Sequence, residues 1–211
     1  VDERRIFVTG NTIVDSICLL VEESGKDKLE SSWLRLRELL GFDPKAEKTV
    51  LITTHRRENI GDGVSNIFKA VLDLAKTHKE ARFVLPLHPN PKIRLAASEL
   101  SQVDNISVIE PLDYRMFMLL LSSSHFVITD SGGIQEEAVT LGKKVLVTRA
   151  MTERPEGLVS TNMEIIGSTS EEIVEAGSRE LSRKATHLDL RIVNDVYGDG
   201  NAAKRIAEAL D

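Results

Sequence analysis

The strongest constraint on the fold lies between residues 49 and 181, where short apolar runs alternate with longer segments of helical period. The runs cover residues 49–54, 82–87, 106–109, 125–129, 144–148 and 163–166. Several of them, such as Val50-Leu51-Ile52 and Val145-Leu146-Val147, are continuously apolar rather than alternating. Such runs suit strands covered on both faces, as in a parallel sheet. Helices are predicted between them over 63–78, 91–101, 113–123 and 134–141, and after them over 171–181. Alternation at this spacing predicts an α/β fold, a doubly wound, Rossmann-like parallel sheet with right-handed crossovers.

The flanks read differently. Residues 6–9 form a short extended piece ending at Gly10-Asn11, and Asn11 or Thr12 caps a helix to about Val21. Residues 22–30 are polar and read as a loop. Ser31 or Ser32 then starts a second helix carrying Trp33, Leu36, Leu39 and Leu40, with Gly41 as its stop. A last helix spans about 202–210. Residues 1–40 are thus expected to be an entry segment and 41–211 the Rossmann-like domain.

In a sheet of this kind ligands bind outside the carboxyl ends of the strands. The segments predicted there are rich in polar groups: Thr54-His-Arg-Arg-Glu-Asn59, His88-Pro-Asn-Pro91, Glu110-Pro-Leu-Asp-Tyr114, Thr129-Asp-Ser-Gly-Gly133 and Arg149 to Gly157. In the fourth of these a strand runs through a glycine turn into a helix start. The first N–H groups of a helix have no partner within it, and the dipole adds positive charge there. Gly132 and Gly133 leave room for a phosphate and Ser131 adds a hydroxyl. Glu136 and Glu137 sit oddly beside an anion, although one turn in a carboxylate can grip a ribose hydroxyl. An ordinary strand–helix turn with acidic residues near the helix start explains the same stretch, and both readings stay open. His55 is the candidate acid or base, since imidazole changes charge near neutral pH. His88 either shapes its loop or touches ligand, His125 reads as structural, and His78 and His187 read as exposed.

Composition removes several classes. A net charge of −6 without a basic stripe argues against nucleic acid and anionic membrane as partners. No apolar run approaches the ~20 residues of a membrane span, and no signal peptide is visible. Cys18, the one cysteine, excludes an internal disulfide and reads as a packed core thiol. No histidine and carboxylate spacing suggests a metal site, and there is no GxxxxGK[ST], GxGxxG or GxSxG motif. The chain opens on Val1 rather than Met, which suggests a processed product or a fragment.

Several of these motifs occur in one order: Thr9-Gly-Asn-Thr-Ile-Val-Asp15, Thr54-His-Arg-Arg-Glu-Asn59, His88-Pro-Asn-Pro91, Thr129-Asp-Ser-Gly-Gly-Ile-Gln-Glu-Glu137, Thr152-Glu-Arg-Pro-Glu-Gly157 and Tyr197-Gly-Asp-Gly200. Together they resemble the non-hydrolysing UDP-N-acetylglucosamine 2-epimerases over nearly the whole chain. Those enzymes pair two Rossmann-like domains across a cleft, the glycosyltransferase-B architecture, and this chain is similar to their C-terminal, nucleotide-binding half. The resemblance implies interconversion of UDP-GlcNAc and UDP-ManNAc in cell-surface polysaccharide biosynthesis. UDP is eliminated to leave a 2-acetamidoglucal and is added back on the other face, with no redox cofactor.

By the same resemblance Ser131, Gly132 and Gly133 match the diphosphate turn, Glu137 the ribose carboxylate and Arg154 a nucleotide-binding arginine. Phe117 matches the aromatic near uracil, and Leu112 stands where some members have Gln, so that a contact there is through backbone. His55 matches an essential histidine. Arg56, Arg57 and His88 lie where bacterial members bind a second, allosteric UDP-GlcNAc. A cytoplasmic homodimer is implied for the full-length form. The carboxylates that move the C2 proton in the family belong to its N-terminal half, and no residue here matches them. The chain alone is therefore expected to bind UDP-sugar without epimerising it. Two other readings are a glycosyltransferase of the same architecture, which does not need the His55 motif, and a freestanding UDP-sugar binding module.

Overall fold

A computed structural model describes residues 2–54, 62–184, 190–193 and 195–210, with backbone alone for 23–26 and 62. Six strands, β1 (Lys48–Thr53), β2 (Ala81–Pro86), β3 (Ile106–Ile109), β4 (Phe126–Thr129), β5 (Lys144–Val147) and β6 (Met163–Ile165), form one sheet in the order β3-β2-β1-β4-β5-β6. Every pairing is parallel. The helices are α1 (Thr12–Leu40), α2 (Asp62–Thr77), α3 (Pro91–Ala96, followed by a 3-10 stretch Ala97–Gln102), α4 (Tyr114–Ser123), α5 (Gly132–Thr140), α6 (Glu156–Val159), α7 (Ser170–Leu181) and α8 (Ala202–Leu210).

Alternate residues of each strand enter different cores because side chains alternate across a pleated sheet. Val50, Ile52, Phe83, Leu85, Phe126 and Ile128 face α2, α3 and α7. Leu51, Val84, Val127, Val145 and Val147 face α1, α4 and α5. The central strand β4 is buried along its whole length, which is why its sequence carries no polar alternation.

Three elements depart from the sequence expectations. The two helices and polar loop expected over 12–40 are one helix, α1. Its ends are fixed by packing: Val14 and Ile17 at one end, Leu36 and Leu40 at the other, are buried in the same core. The Asn11 side chain accepts from Ile13 N at 3.0 Å, and Gly41 closes the helix in the left-handed region at φ 74°. The middle contains good helix formers and no proline, and Glu22, Asp27, Lys28 and Glu30 are exposed, so these polar residues mark a solvated face rather than a break. One internal glycine costs only about 1 kcal/mol. Second, α5 begins at Gly132, two residues before the expected Ile134, so both glycines of the turn lie in its first turn. Third, the four-residue α6 was not expected.

The two ends of the chain meet beside α1. Asn11 N donates to Tyr197 O at 2.8 Å. Asp15, on α1, receives Ala202 N at 3.2 Å and Ala203 N at 2.9 Å, and so caps α8 from across the fold. Cys18 is half-buried here rather than in the core, and burial pushes its thiol up. A Cβ on Gly200 would stand 2.5 Å from its sulfur.

Candidate functional site

β1 and β4 are neighbours in the sheet, but β1 leads to α2 on one face and β4 to α5 on the other. The crevice at their carboxyl ends is the switch point of the sheet. Threonines hold its floor. Thr53 Oγ1 donates to Thr129 Oγ1 at 2.6 Å, and Thr129 Oγ1 accepts from Ser131 N at 3.0 Å. Thr54 Oγ1 donates to Asp130 Oδ2 at 2.9 Å, with Asp130 fully buried.

Ser131 is the residue before α5, and its hydroxyl does not cap the helix. The first hydrogen bond back along α5 is Gln135 N to Ser131 O at 3.2 Å, so the N–H groups of Gly132 and Gly133 are unused by the helix. Neither glycine needs a positive φ, and a Cβ on Gly133 would meet nothing within 4 Å. Neither backbone conformation nor local packing therefore accounts for the glycine at 133. A cavity of about 210 Å³ adjoins this helix start, lined among others by Thr54, His88, Leu112, Phe117, Ser131 and Ile134. Four of the residues singled out in the sequence, Ser131, Phe117, Leu112 and His88, are thus brought to one cavity. His88 also shapes its loop, since its Nδ1 accepts from Asn90 N at 3.2 Å.

Glu137 and Arg154 are not among the residues that line this cavity. Glu137 is 7% exposed, and burial pushes its carboxyl up to about 7, opposed by a hydrogen bond from the Tyr114 hydroxyl and reinforced by the charge of Glu136. Tyr114, at the start of α4, is itself shifted upward by its burial and by Glu137. Arg154 Nε donates to Glu136, and that carboxylate holds the guanidinium charged.

Tyr114 was not singled out as functional by the sequence, and Glu136 was weighed only jointly with Glu137, as a carboxylate near the helix start. For Tyr114 the available signal was its place on the predicted rim; for Glu136 it was adjacency to Glu137. His55, Arg56 and Arg57 lie outside the described residues, as does His187. His125 is structural, with Nε2 2.9 Å from Glu180 O. His78 is not simply exposed: it is half-buried, 3.3 Å from Ser178 Oγ, because α7 packs over the end of α2.

The whole chain, residues 1–211, matches the family described as UDP-N-acetylglucosamine 2-epimerase. It belongs to that family. The epimerase of Neisseria meningitidis is 40% identical over 207 residues, which are 98% of this chain and 55% of that protein. A crystal structure of the N. meningitidis UDP-GlcNAc 2-epimerase bound to UDP-GlcNAc superposes with a TM-score of 0.89 at 38% identity, covering 100% of this chain and 56% of that one. The Methanocaldococcus jannaschii epimerase in complex with UDP-GlcNAc and UDP gives a TM-score of 0.81 at 27% identity, again with 100% and 56% covered. The chain thus spans just over half the length of the epimerases it matches, and its fold is the one seen in that part of them. The match groups it with epimerases rather than with glycosyltransferases of the same architecture. Among the described residues no helix is long and apolar enough to cross a membrane, and no three His, Cys, Asp or Glu side chains are placed to hold a metal ion.

Proposed function

We propose that this chain is the UDP-binding half of a non-hydrolysing UDP-GlcNAc 2-epimerase. The observation that carries the reading is the open N-terminus of α5 at the switch point, with glycine N–H groups that the helix does not use and a Ser131 hydroxyl that has no partner among the described residues. Such a helix start favours a diphosphate. In this reading Ser131, Gly132 and Gly133 cradle the diphosphate, and Glu137 accepts from the ribose hydroxyls. Phe117 and the backbone at Leu112 border the uracil, while Arg154 supplies positive charge.

The reaction breaks the bond between C1 and the UDP oxygen as a proton leaves C2, giving UDP and a 2-acetamidoglucal. Re-addition of UDP with protonation of C2 on the opposite face completes the epimerisation. Negative charge grows on the departing diphosphate, and fixed N–H dipoles stabilise it without reorganising. His55 is proposed to assist the reaction, and Arg56, Arg57 and His88 to contact a second UDP-GlcNAc. Residues 1–40 are proposed as the segment leading in from the opposing domain, with 41–211 forming the UDP domain. The full-length protein is proposed to be a cytoplasmic homodimer.

The test has two arms on the chain 1–211. Calorimetry with UDP should show binding. UDP-GlcNAc in heavy water should show no exchange of the hydrogen at C2, because the C2 base and a closed cleft that excludes water require the opposing domain. Absence of UDP binding refutes the site. Exchange near the rate of the full-length enzyme refutes the division of labour and moves the base into this chain.

A further inference from the structure

α5 places three consecutive polar side chains, Gln135, Glu136 and Glu137, in buried positions. Packing alone does not ask for that on a helix lying against a sheet. Two of the three reach the loop after β5. Thr152 Oγ1 donates to Gln135 Oε1 at 2.6 Å, and the same hydroxyl accepts from Arg154 N at 3.0 Å. Arg154 Nε donates to Glu136, and Nη1 donates to Glu153 O at 3.1 Å. Among the described residues Nη2 has no partner. The guanidinium is therefore held at Nε by Glu136 and at Nη1 by Glu153 O, and Nη2, the nitrogen shared by those two donor edges, is the one left to meet a ligand. Behind the loop stands Tyr197: a Cβ at Gly157 would lie 2.5 Å from its hydroxyl. Glu136 is four residues past Gly132, about 6 Å along the helix axis at 1.5 Å per residue. An arginine fixed there lies within about one turn of the open N–H groups.

We propose that Glu136 is a positioning residue, which orients Arg154 so that Nη2 meets the charge of a diphosphate seated on the start of α5. The inference rests on the reading of that helix start as a diphosphate site. Two effects of Glu136 oppose each other. Its charge repels a diphosphate, but most of that repulsion is cancelled by the guanidinium it binds. Its hydrogen bond orders a long side chain before the ligand arrives, so that less ordering is left to oppose binding. The Nε contact and the burial of Glu136 favour the second effect.

The test is calorimetry with UDP and, separately, with uridine, which lacks the diphosphate. In Glu136→Gln, UDP affinity should fall roughly tenfold, the loss of one well-placed charge-assisted contact, while uridine affinity stays within about twofold. Arg154→Ala should lose at least as much for UDP, and adding Glu136→Gln to it should cause no further loss and recover only the repulsion of the then unpaired Glu136 charge. Arg154→Lys is a second probe of the same geometry. Its ammonium cannot hold Glu136 and present a second nitrogen, so it should lose UDP affinity with uridine unchanged. Tighter UDP binding in Glu136→Gln overturns the inference, because Glu136 would then compete for the arginine. Equal losses for UDP and uridine overturn it by showing a general disturbance, and additive losses in the double variant overturn it by separating Glu136 from Arg154. Failure of the unmodified chain to bind UDP overturns the underlying site, a result distinct from all of these.

Discussion

The carboxyl of Glu137 makes a prediction that can be followed with pH. Its ordinary value is 4.5, and burial raises it to about 7. The rise corresponds to roughly 3 kcal/mol favouring the protonated form in the folded chain. The folded chain holds this proton between pH 4.5 and 7, where the unfolded chain releases it. The associated stability is complete below about 4.5 and is lost as pH rises through about 7. Glu137→Gln cannot titrate, so the stability of the wild type relative to this variant should fall by roughly 3 kcal/mol between pH 4.5 and 8. Ligand should respond in the opposite sense. Two ribose hydroxyls donating to the charged carboxylate gain about 1 kcal/mol each over the neutral acid, or ~10- to 30-fold together. Uridine, which carries no titrating phosphate, should therefore bind ~10- to 30-fold more weakly at pH 5 than at pH 8, with a midpoint near 7. Denaturant melts and calorimetry across this range, on wild type and Glu137→Gln, check both effects. A uridine affinity flat with pH, or an equal dependence in Glu137→Gln, refutes the assignment of Glu137 to the ribose.

Two further predictions follow from the glycine turn and the chain ends. In Gly133→Ala the new methyl meets open space, so thermal stability should hold or rise with about 0.5–1 kcal/mol of helix propensity, while calorimetry shows weaker UDP binding. Unchanged UDP affinity would mean that no ligand approaches this backbone. Asp15→Ala removes the acceptor for Ala202 N and Ala203 N; the loss should be about 1–2 kcal/mol by urea denaturation, with faster amide exchange in α8. Unaltered exchange in α8 would show that packing alone holds it.

The sheet was legible because its strands are buried on both faces, and a continuous apolar run between helical segments has few other uses. Strand limits agree with the expectations to about a residue, as at β3, predicted and found over 106–109. The continuity of α1 was not legible. A polar stretch such as 27–30 looks the same in a loop and on the solvated side of a helix, and only the packing at both ends decides between them. The strand–glycine–helix turn proposed as the diphosphate site was legible because its glycines and the strand before it are contiguous. The Arg154–Glu136 contact was not, since it depends on how the loop after β5 folds back on α5. The cap of α8 by Asp15 joins residues 187 positions apart, and nothing local to either one signals it.

The two carboxylates that looked out of place beside an anion site now have separate physical accounts. Glu136 is 8% exposed and paired with Arg154, so it adds little net negative charge near the start of α5. Glu137 is equally buried but faces Tyr114, a neutral donor, and its carboxyl rises to about 7. Near neutral pH it therefore holds much less than a full charge until hydroxyl donors arrive to stabilise one. A charge that develops only against the ribose costs the diphosphate less than a permanent one would. Adjacent positions on a helix point about 100° apart, so the two side chains meet different neighbours, an arginine loop on one side and α4 on the other. Under the proposed assignment, that divergence lets one helix turn offer N–H groups to a phosphate and a carboxylate to a sugar hydroxyl without the two working against each other.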